Sequence, residues 1–318
     1  MLVRPERLAV ADEVARALAA HRGVVALETT VVTHGLPHPQ GLEVATSMEA
    51  RVHAAGATPA TIGVLDGRVR VGLTSEELSR LAAIPKVEKL NPSNLAARLA
   101  AGGAGSTTVA ATMLAAHMAG IAVFATGGIG GVHRGAERTD DVSADLTALS
   151  RIPVAVVCAG AKSILDLPRT VERLETLGVP IYGYRCDEFP AFWRRSSGLK
   201  LDQRFDELPD LANAVREHWA LGTGTGVVVA NPVPEADEMD ERAYDRALVR
   251  ALERVEKQHI RGRAVTPALL ETIQEATGGK ATTSNIALLE HNATVAGGLA
   301  VALAGGTTPA DTLTENAW

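Results

Sequence analysis

Five short aliphatic runs, spaced by stretches long enough for helices, constrain this chain more than any other feature. They are VVALETTVV at 24–32, IAVFAT at 121–126, PVAVVC at 153–158, VPIYGY at 179–184 and GVVVA at 226–230. Continuous apolar runs of this length are what strands buried on both faces look like, and such strands belong to sheets covered by helices. Helical spacing fills the intervals at 107–119, 162–177 and 208–220. Only 3% of residues are aromatic, so the core must be built from Val, Ile, Leu and Ala. Strand and helix in alternation predict an α/β fold with a largely parallel or mixed central sheet.

The remaining segments fit around that frame. Residues 5–21 carry Leu8, Val10, Val14 and Leu18 at helical spacing and predict an amphipathic helix. A loop rich in His, Gly and Pro (THGLPHPQG) follows the first aliphatic run, and a helix is expected through about residue 55. Residues 60–73 predict a hairpin, with Asp66-Gly67 at the turn. The last third, over 235–258 and 266–304, is rich in Ala, Leu and Glu and predicts a helical C-terminal part. No repeat or low-complexity linker divides the chain, so one domain over 1–318 is expected.

Charge and composition exclude several classes of partner. A formal net charge of −6 argues against a nucleic-acid polymer. Two cysteines, Cys158 and Cys186, make no disulfide scaffold and suit a reducing compartment. Arg4, Glu6, Arg7, Asp12, Glu13 and Arg16 interrupt any N-terminal apolar core of a signal peptide. No run is expected to reach the ~18 apolar residues of a membrane span. A cytoplasmic location follows as the expectation.

Ligands of open α/β sheets bind beyond the carboxyl ends of the strands, so the residues after each run matter most. TGGIGGVHRGA follows the run at 121–126, and its glycines suit either a close backbone approach to phosphate or a tight turn. It fails the G-x-G-x-x-G pattern, because His133 stands where the third glycine belongs, and a nucleotide cofactor is not expected. Asp140, Asp141, Ser143 and Asp145 lie just beyond. Their hard oxygens suit magnesium or manganese, and equally the cap and first turn of a helix.

Two residues break their local patterns. Lys162 follows a buried strand in a chain with six lysines against 25 arginines. A lysine held by apolar walls loses the stability of its ammonium form and becomes nucleophilic; a lysine that extends its charge to the surface is the other reading. Glu28 puts a carboxyl inside an aliphatic run. Burial would raise its pKa and suit it to general acid work, unless backbone donors or an arginine satisfy it. Lys89, in KVEKLNP, sits where a strand or loop end can aim a cation at phosphate. Asn285 lies in or at the start of a late helix and can bind a ligand or cap that helix.

These segments together resemble the pseudouridine-5′-phosphate glycosidases. The resemblance runs in order from ALETTVVTHGLPHPQ through GVLDGRVRVGLT, GSTTVAATMLAAHMAGIAVFATGGIGGVHRGAE, the DVSADL and CAGAKS segments and GTGTGVVVANPVP to TGGKATTSNIALLEHNA, roughly residues 20 to 300. It implies a three-layer α/β/α fold and a homotrimer. It also implies reversible cleavage by water of the carbon–carbon glycosidic bond of pseudouridine 5′-phosphate, to uracil and ribose 5-phosphate, with a divalent cation, usually Mn2+. By position, Glu28 matches the proton donor, Lys162 the covalent Schiff-base nucleophile and Asp141 the metal ligand. Lys89, Val109, Ser143, Ala144 and Asp145 match substrate contacts. Thr126 and His133 fall where phosphate is held, and Asn285 where a late helix returns to the site.

Two segments depart from the family pattern. Asn91-Pro92-Ser93-Asn94 replaces a usual pair of arginines and an aspartate, which bears on substrate contacts near Lys89. Glu290 and His291 replace a more usual lysine and asparagine, on what is expected to be a helix surface. Two other functions use part of the same residue set. A lysine-dependent aldolase acting on a sugar phosphate needs Lys162 and the phosphate loop alone. A non-catalytic sugar-phosphate-binding regulator needs neither the acid nor the nucleophile.

Overall fold

The computed structural model describes residues 5–36, 39–258, 260 and 265–305. Among them eleven strands form one sheet: β1 Leu8–Val10, β2 Val24–Glu28, β3 Thr58–Leu65, β4 Arg68–Val71, β5 Glu88–Leu90, β6 Gly105–Thr107, β7 Val123–Ala125, β8 Ala155–Cys158, β9 Ile181–Tyr184, β10 Gln203–Phe205 and β11 Val227–Ala230. The main order is β1-β4-β3-β2-β7-β8-β11-β9-β10. Every pairing along it is parallel except the β3–β4 hairpin, so the sheet is mixed, as the alternation predicts.

The sheet forks beside β2. As far as Ile62, β3 pairs with β2; from Gly63 it pairs with β6 instead, and β6 in turn carries β5. Buried threonines fill the fork. The hydroxyls of Thr29 and Thr107 both donate to the Ile62 carbonyl, at 2.8 and 2.7 Å, and the Thr107 N–H donates to Thr29 Oγ1 at 3.0 Å. These bonds occupy backbone groups that the diverging strands leave unpaired. The fork ends β2 at Glu28 and brings Lys89 of β5 beside it.

Helices cover both faces. The helix Lys280–Ala304 packs on β2, β7 and β8, flanked by helices Gln40–Ala54 and Leu208–Ala220. The helix Val109–Met118 packs on β2, β3 and β7. These two touch the same strands but do not pack on each other, which puts them on opposite faces. The result is the three-layer arrangement. By length and apolarity alone Lys280–Ala304 could cross a membrane, which the sequence reading did not anticipate. Here Leu288, Leu289, Ala293, Ala296, Leu299 and Ala300 are buried in the core.

Several boundaries differ from the sequence expectation. Leu8 and Val10 form β1 along β4 rather than a helix, which begins only at Asp12. Hydrogen bonding to an open sheet edge outweighs the local helical spacing. The run at 24–32 stops at Glu28, and Val31–Gly35 winds as a short π-helix. Strands β5, β6 and β10 leave no mark in the sequence, because each has three residues, too few to show a period. Pro37 and His38 of the His/Gly/Pro loop lie outside the described residues.

The aliphatic core tolerates little loss of volume. Phe124, fully buried on β7, is one of four phenylalanines in the chain. Phe124→Ala should reduce unfolding free energy by about 3–5 kcal/mol, read as a lower urea midpoint at unchanged slope.

Candidate functional site

The carboxyl ends of neighbouring parallel strands deliver the principal residues. Glu28 ends β2, Thr126 follows β7, and Lys162 follows β8 after a turn at Gly160. Gly160 has φ +77°, and a Cβ there would lie 2.0 Å from the Pro190 carbonyl oxygen, so the turn before Lys162 admits only glycine. The Lys162 ammonium donates to the Gly128 carbonyl at 2.9 Å.

Glu28 is 8% exposed. The hydroxyl of Thr30 donates to one carboxyl oxygen and that of Thr126 to the other. Burial pushes the Glu28 pKa up; the nearby Lys162 ammonium, the Thr126 hydroxyl and Lys89 pull it back, while Asp145 adds to the rise. Upward displacement is the direction a general acid near neutral pH requires. Burial and the Lys162 charge pull the Lys89 pKa down, opposed by Glu28 and Asp145.

A cleft with two lobes meets at Glu28, Thr30, Lys89 and Lys162. The more apolar lobe, of about 580 Å3, is walled by Val31, Gly127, Phe192, Leu270, Asn285 and Leu289. The polar lobe, of about 960 Å3, is walled by Asn91, Val109, His133, Asp141, Ser143, Ala144 and Asp145. All eleven sequence-derived site residues therefore line one lobe or the other. Their hydrogen-bond partners add what the sequence does not show.

Thr126 is 1% exposed and its hydroxyl is bonded to Glu28, which makes it a support for the acid. Asp145 is also buried. Its oxygens accept the N–H groups of Ala110 at 3.0 Å and Gly130 at 2.8 Å, tying the start of helix Val109–Met118 to the glycine loop. That loop is no open phosphate cradle at these positions. The N–H of Ile129 donates to Gly160, that of Gly130 to Asp145, that of Val132 to Thr170 and that of His133 to Asp141. Its glycines permit close packing instead, since a Cβ on Gly128 would meet the Phe192 ring at 2.6 Å. Asn285 sits within helix Lys280–Ala304, whose N-cap is Gly279, so it lines the cleft and caps nothing.

The two departures also find their places. Asn91 and Asn94 form a capping box for helix Pro92–Ala100, and the Asn94 amide donates to Glu88 at 3.1 Å. Glu290 and His291 are not a free helix surface. Glu290 accepts from Ser47 at 2.5 Å and from Arg51 at 2.8 Å, joining two helices. His291 turns inward, with Nδ1 3.2 Å from both Asn231 Nδ2 and the Pro232 carbonyl.

Asp141 is a half-buried carboxylate of the polar lobe, and no salt bridge engages it among the described residues. Burial pushes the His133 pKa down, while the Asp141 charge opposes this. No group of three His, Cys, Asp or Glu side chains able to hold a metal gathers among the described residues. The donor set fits a hard divalent ion held by one protein carboxylate and otherwise by water.

The sequence model of the indigoidine synthase A-like proteins matches residues 13–302. A pseudouridine-5′-phosphate glycosidase of Methylobacterium nodulans is 55% identical over 93% of this chain and 88% of its own length. One from Sorangium cellulosum is 52% identical over 94% of each chain. This chain belongs to their family. The crystal structure of the prealnumycin C-glycosynthase AlnA, in complex with ribulose 5-phosphate, matches with a TM-score of 0.88 at 41% identity, over 95% of this chain and 98% of that one. An indigoidine synthase A-like protein of Thermotoga maritima matches at 0.85 and 35%, over 93% and 96%. The fold is thus that of the indigoidine synthase A-like structures.

Residues outside the sequence expectation also line the cleft, namely Thr30, His34 and Phe192, while Asn231 and Asn292 lie buried behind it. The only advance signal for Asn292 is its spacing from Asn285 and Leu289 on an apolar helix, which puts all three on one face.

Because the folded pKa of Glu28 lies above the ordinary 4.5, its stability contribution is full below that value and is lost as pH rises through the folded pKa. Glu28→Gln avoids that loss. The variant's stability advantage over the parent should be small near pH 4 and grow toward pH 8, as read by urea unfolding at a series of pH values. An advantage that shrinks with rising pH would show a depressed pKa instead.

Proposed function

We propose that this protein cleaves the carbon–carbon glycosidic bond of pseudouridine 5′-phosphate reversibly, giving uracil and ribose 5-phosphate through a Lys162 Schiff base. The observation that carries the reading is the meeting of a buried carboxyl and a lysine at the ends of the two strands that flank β7, in a chain 55% identical to a protein of that name. A base joined through carbon leaves poorly, so the two-carboxylate route of ordinary glycosidases is unsuited.

On this reading the Lys162 amine adds to the anomeric carbon as the bond to the ring oxygen breaks, and that oxygen takes the Glu28 proton. The adduct nitrogen then loses a proton to the Glu28 carboxylate. Its lone pair forms the iminium while the bond to uracil breaks, and the Glu28 proton passes to the uracil carbon. Water adds to the iminium and releases ribose 5-phosphate with the free amine, and the proton set free returns to the Glu28 carboxylate. One carboxyl thus serves every proton transfer in turn, which suits a group whose burial raises its pKa.

The lobe of Phe192, Leu289 and Asn285 suits the flat base, with an amide to pair its edge. The lobe of Val109, His133, Ser143 and Ala144 suits the phosphate, with Lys89 at the junction. A divalent cation such as Mn2+ would be held by Asp141 and water, where it supplies positive charge to the substrate. A homotrimer belongs to the same reading and is measurable by sedimentation equilibrium.

The test is release of free uracil on incubation with pseudouridine 5′-phosphate and Mn2+; an aldolase or a binding protein releases none. Borohydride with ribose 5-phosphate should add one reduced sugar phosphate to Lys162, and Lys162→Ala should lose both adduct and turnover. An adduct on another lysine refutes the nucleophile assignment. Chelation should abolish turnover without unfolding the protein, and Asp141→Ala should match the chelated enzyme. Full activity of that variant without added metal overturns the metal site.

A further inference from the structure

The buried polar groups behind the cleft are as ordered as those lining it. Asn292, on the inner face of helix Lys280–Ala304, is 0% exposed, in a part of the core otherwise formed by Leu288, Leu289, Ala293 and Ala296. Its amide nitrogen donates to the Thr126 carbonyl at 2.8 Å and lies 3.4 Å from that of Gly127. Its oxygen accepts from Asn231 Nδ2 at 2.9 Å. Asn231 follows β11 and is 1% exposed. Two buried amides thus link the last helix, the end of β11 and the loop after β7.

That loop holds both reacting groups from its other side. The Thr126 hydroxyl donates to Glu28, and the Gly128 carbonyl accepts from Lys162. The helix approaches so closely that a Cβ on Gly127 would lie 3.2 Å from Leu289 and 3.3 Å from Leu288. Serine or alanine at 292 would leave the buried Thr126 carbonyl short of its donor, while Gly127 keeps the Ala159 N–H at 2.9 Å, and the loop would have to move to satisfy it.

We propose that Asn292, oriented by Asn231, is a positioning residue that fixes the height of the Thr126–Gly128 segment and through it the alignment of Glu28 with Lys162. The assignment rests on the reaction proposed above for what the alignment accomplishes, while the geometry stands without it. Neither amide lines the cleft, so neither touches substrate.

A merely structural residue and a positioning residue differ in what their loss changes. Glu28 must be protonated at the start of the reaction, so its ionisation sets the loss of activity at high pH. The groups facing it are Thr30, Thr126, Lys162, Lys89 and Asp145. Removing Asn292 draws the Thr126 hydroxyl away, the carboxylate loses a donor, and the high-pH limb moves up. Thr126→Val should produce the same movement directly.

The experiment compares parent, Asn292→Ser, Asn231→Ala, Thr126→Val and the Asn292→Ser/Thr126→Val double variant, each checked for folding by circular dichroism. Asn292→Ser should lower kcat by about tenfold or more, the equivalent of one buried hydrogen bond, with KM changed little. Its high-pH limb should rise, and the double variant should show no further rise beyond Thr126→Val. Asn231→Ala should give a smaller change of the same kind, and it keeps the test usable if Asn292→Ser does not fold. Backbone amides over 126–131 should exchange faster in both Asn variants without substrate. Unchanged kcat, an unmoved limb, or an additive double variant overturns the proposal. If the parent itself releases no uracil, the reaction is wrong and the exchange arm decides the positioning role alone: protection equal to the parent refutes it.

Discussion

A carboxyl taken out of water, with each oxygen held by a hydroxyl, is the interaction around which the rest of the structure is arranged. Burial alone would leave Glu28 unsatisfied at a large free-energy penalty, and an arginine partner would lock it as the anion. Two threonine hydroxyls avoid both outcomes. A hydroxyl can donate to the carboxylate or accept from the acid, so the group can change protonation state without losing its partners. The lysines nearby hold the rise in its pKa in check rather than reversing it.

The sheet fork makes that burial possible. If β3 continued alongside β2, the strand end carrying Glu28 would be covered by regular pairing. Instead β6 takes over beside β3 from Gly63, and the threonine network seals the gap. The same departure gives β5 its place, which puts a lysine across from the acid. Acid, lysine and polar lobe therefore follow from one irregularity in an otherwise regular α/β sheet. Ligand sites at such breaks in strand order are the general rule for open sheets.

What the sequence revealed followed from contrast. Glu28 stands out in an aliphatic run, and Lys162 in a chain poor in lysine, so both could be singled out before any coordinates. The long buried strands and the Asp66-Gly67 hairpin were legible because period and turn chemistry are local. The fork was not, because it depends on two three-residue strands whose pairing is set at long range. The glycine loop misled in a similar way. Its composition suggests an approach to phosphate, while its glycines mainly leave room for Phe192, Thr170 and Ser143. The tasks of Thr126 and Asn292 are invisible in sequence, since threonine in a strand end and asparagine in a helix are unremarkable until their partners are known.

The division of the cleft follows from the same economy of elements. Leu270, Leu289 and Phe192 reach it from two late helices and the 190s loop, all outside the sheet; Lys89, Asn91 and Ser143 reach it from strand β5 and from the caps of two helices. Lys89, His133 and Ser143 are the groups of the polar lobe that suit an anion, and a helix face of leucine and asparagine suits a flat heterocycle with a polar edge. Glu28 and Lys162 lie where the two surfaces join. A substrate whose base and phosphate occupied the two lobes would present the bond between base and sugar at that junction. The acid and the lysine then need no movement of their own to reach it, only a loop that holds them still.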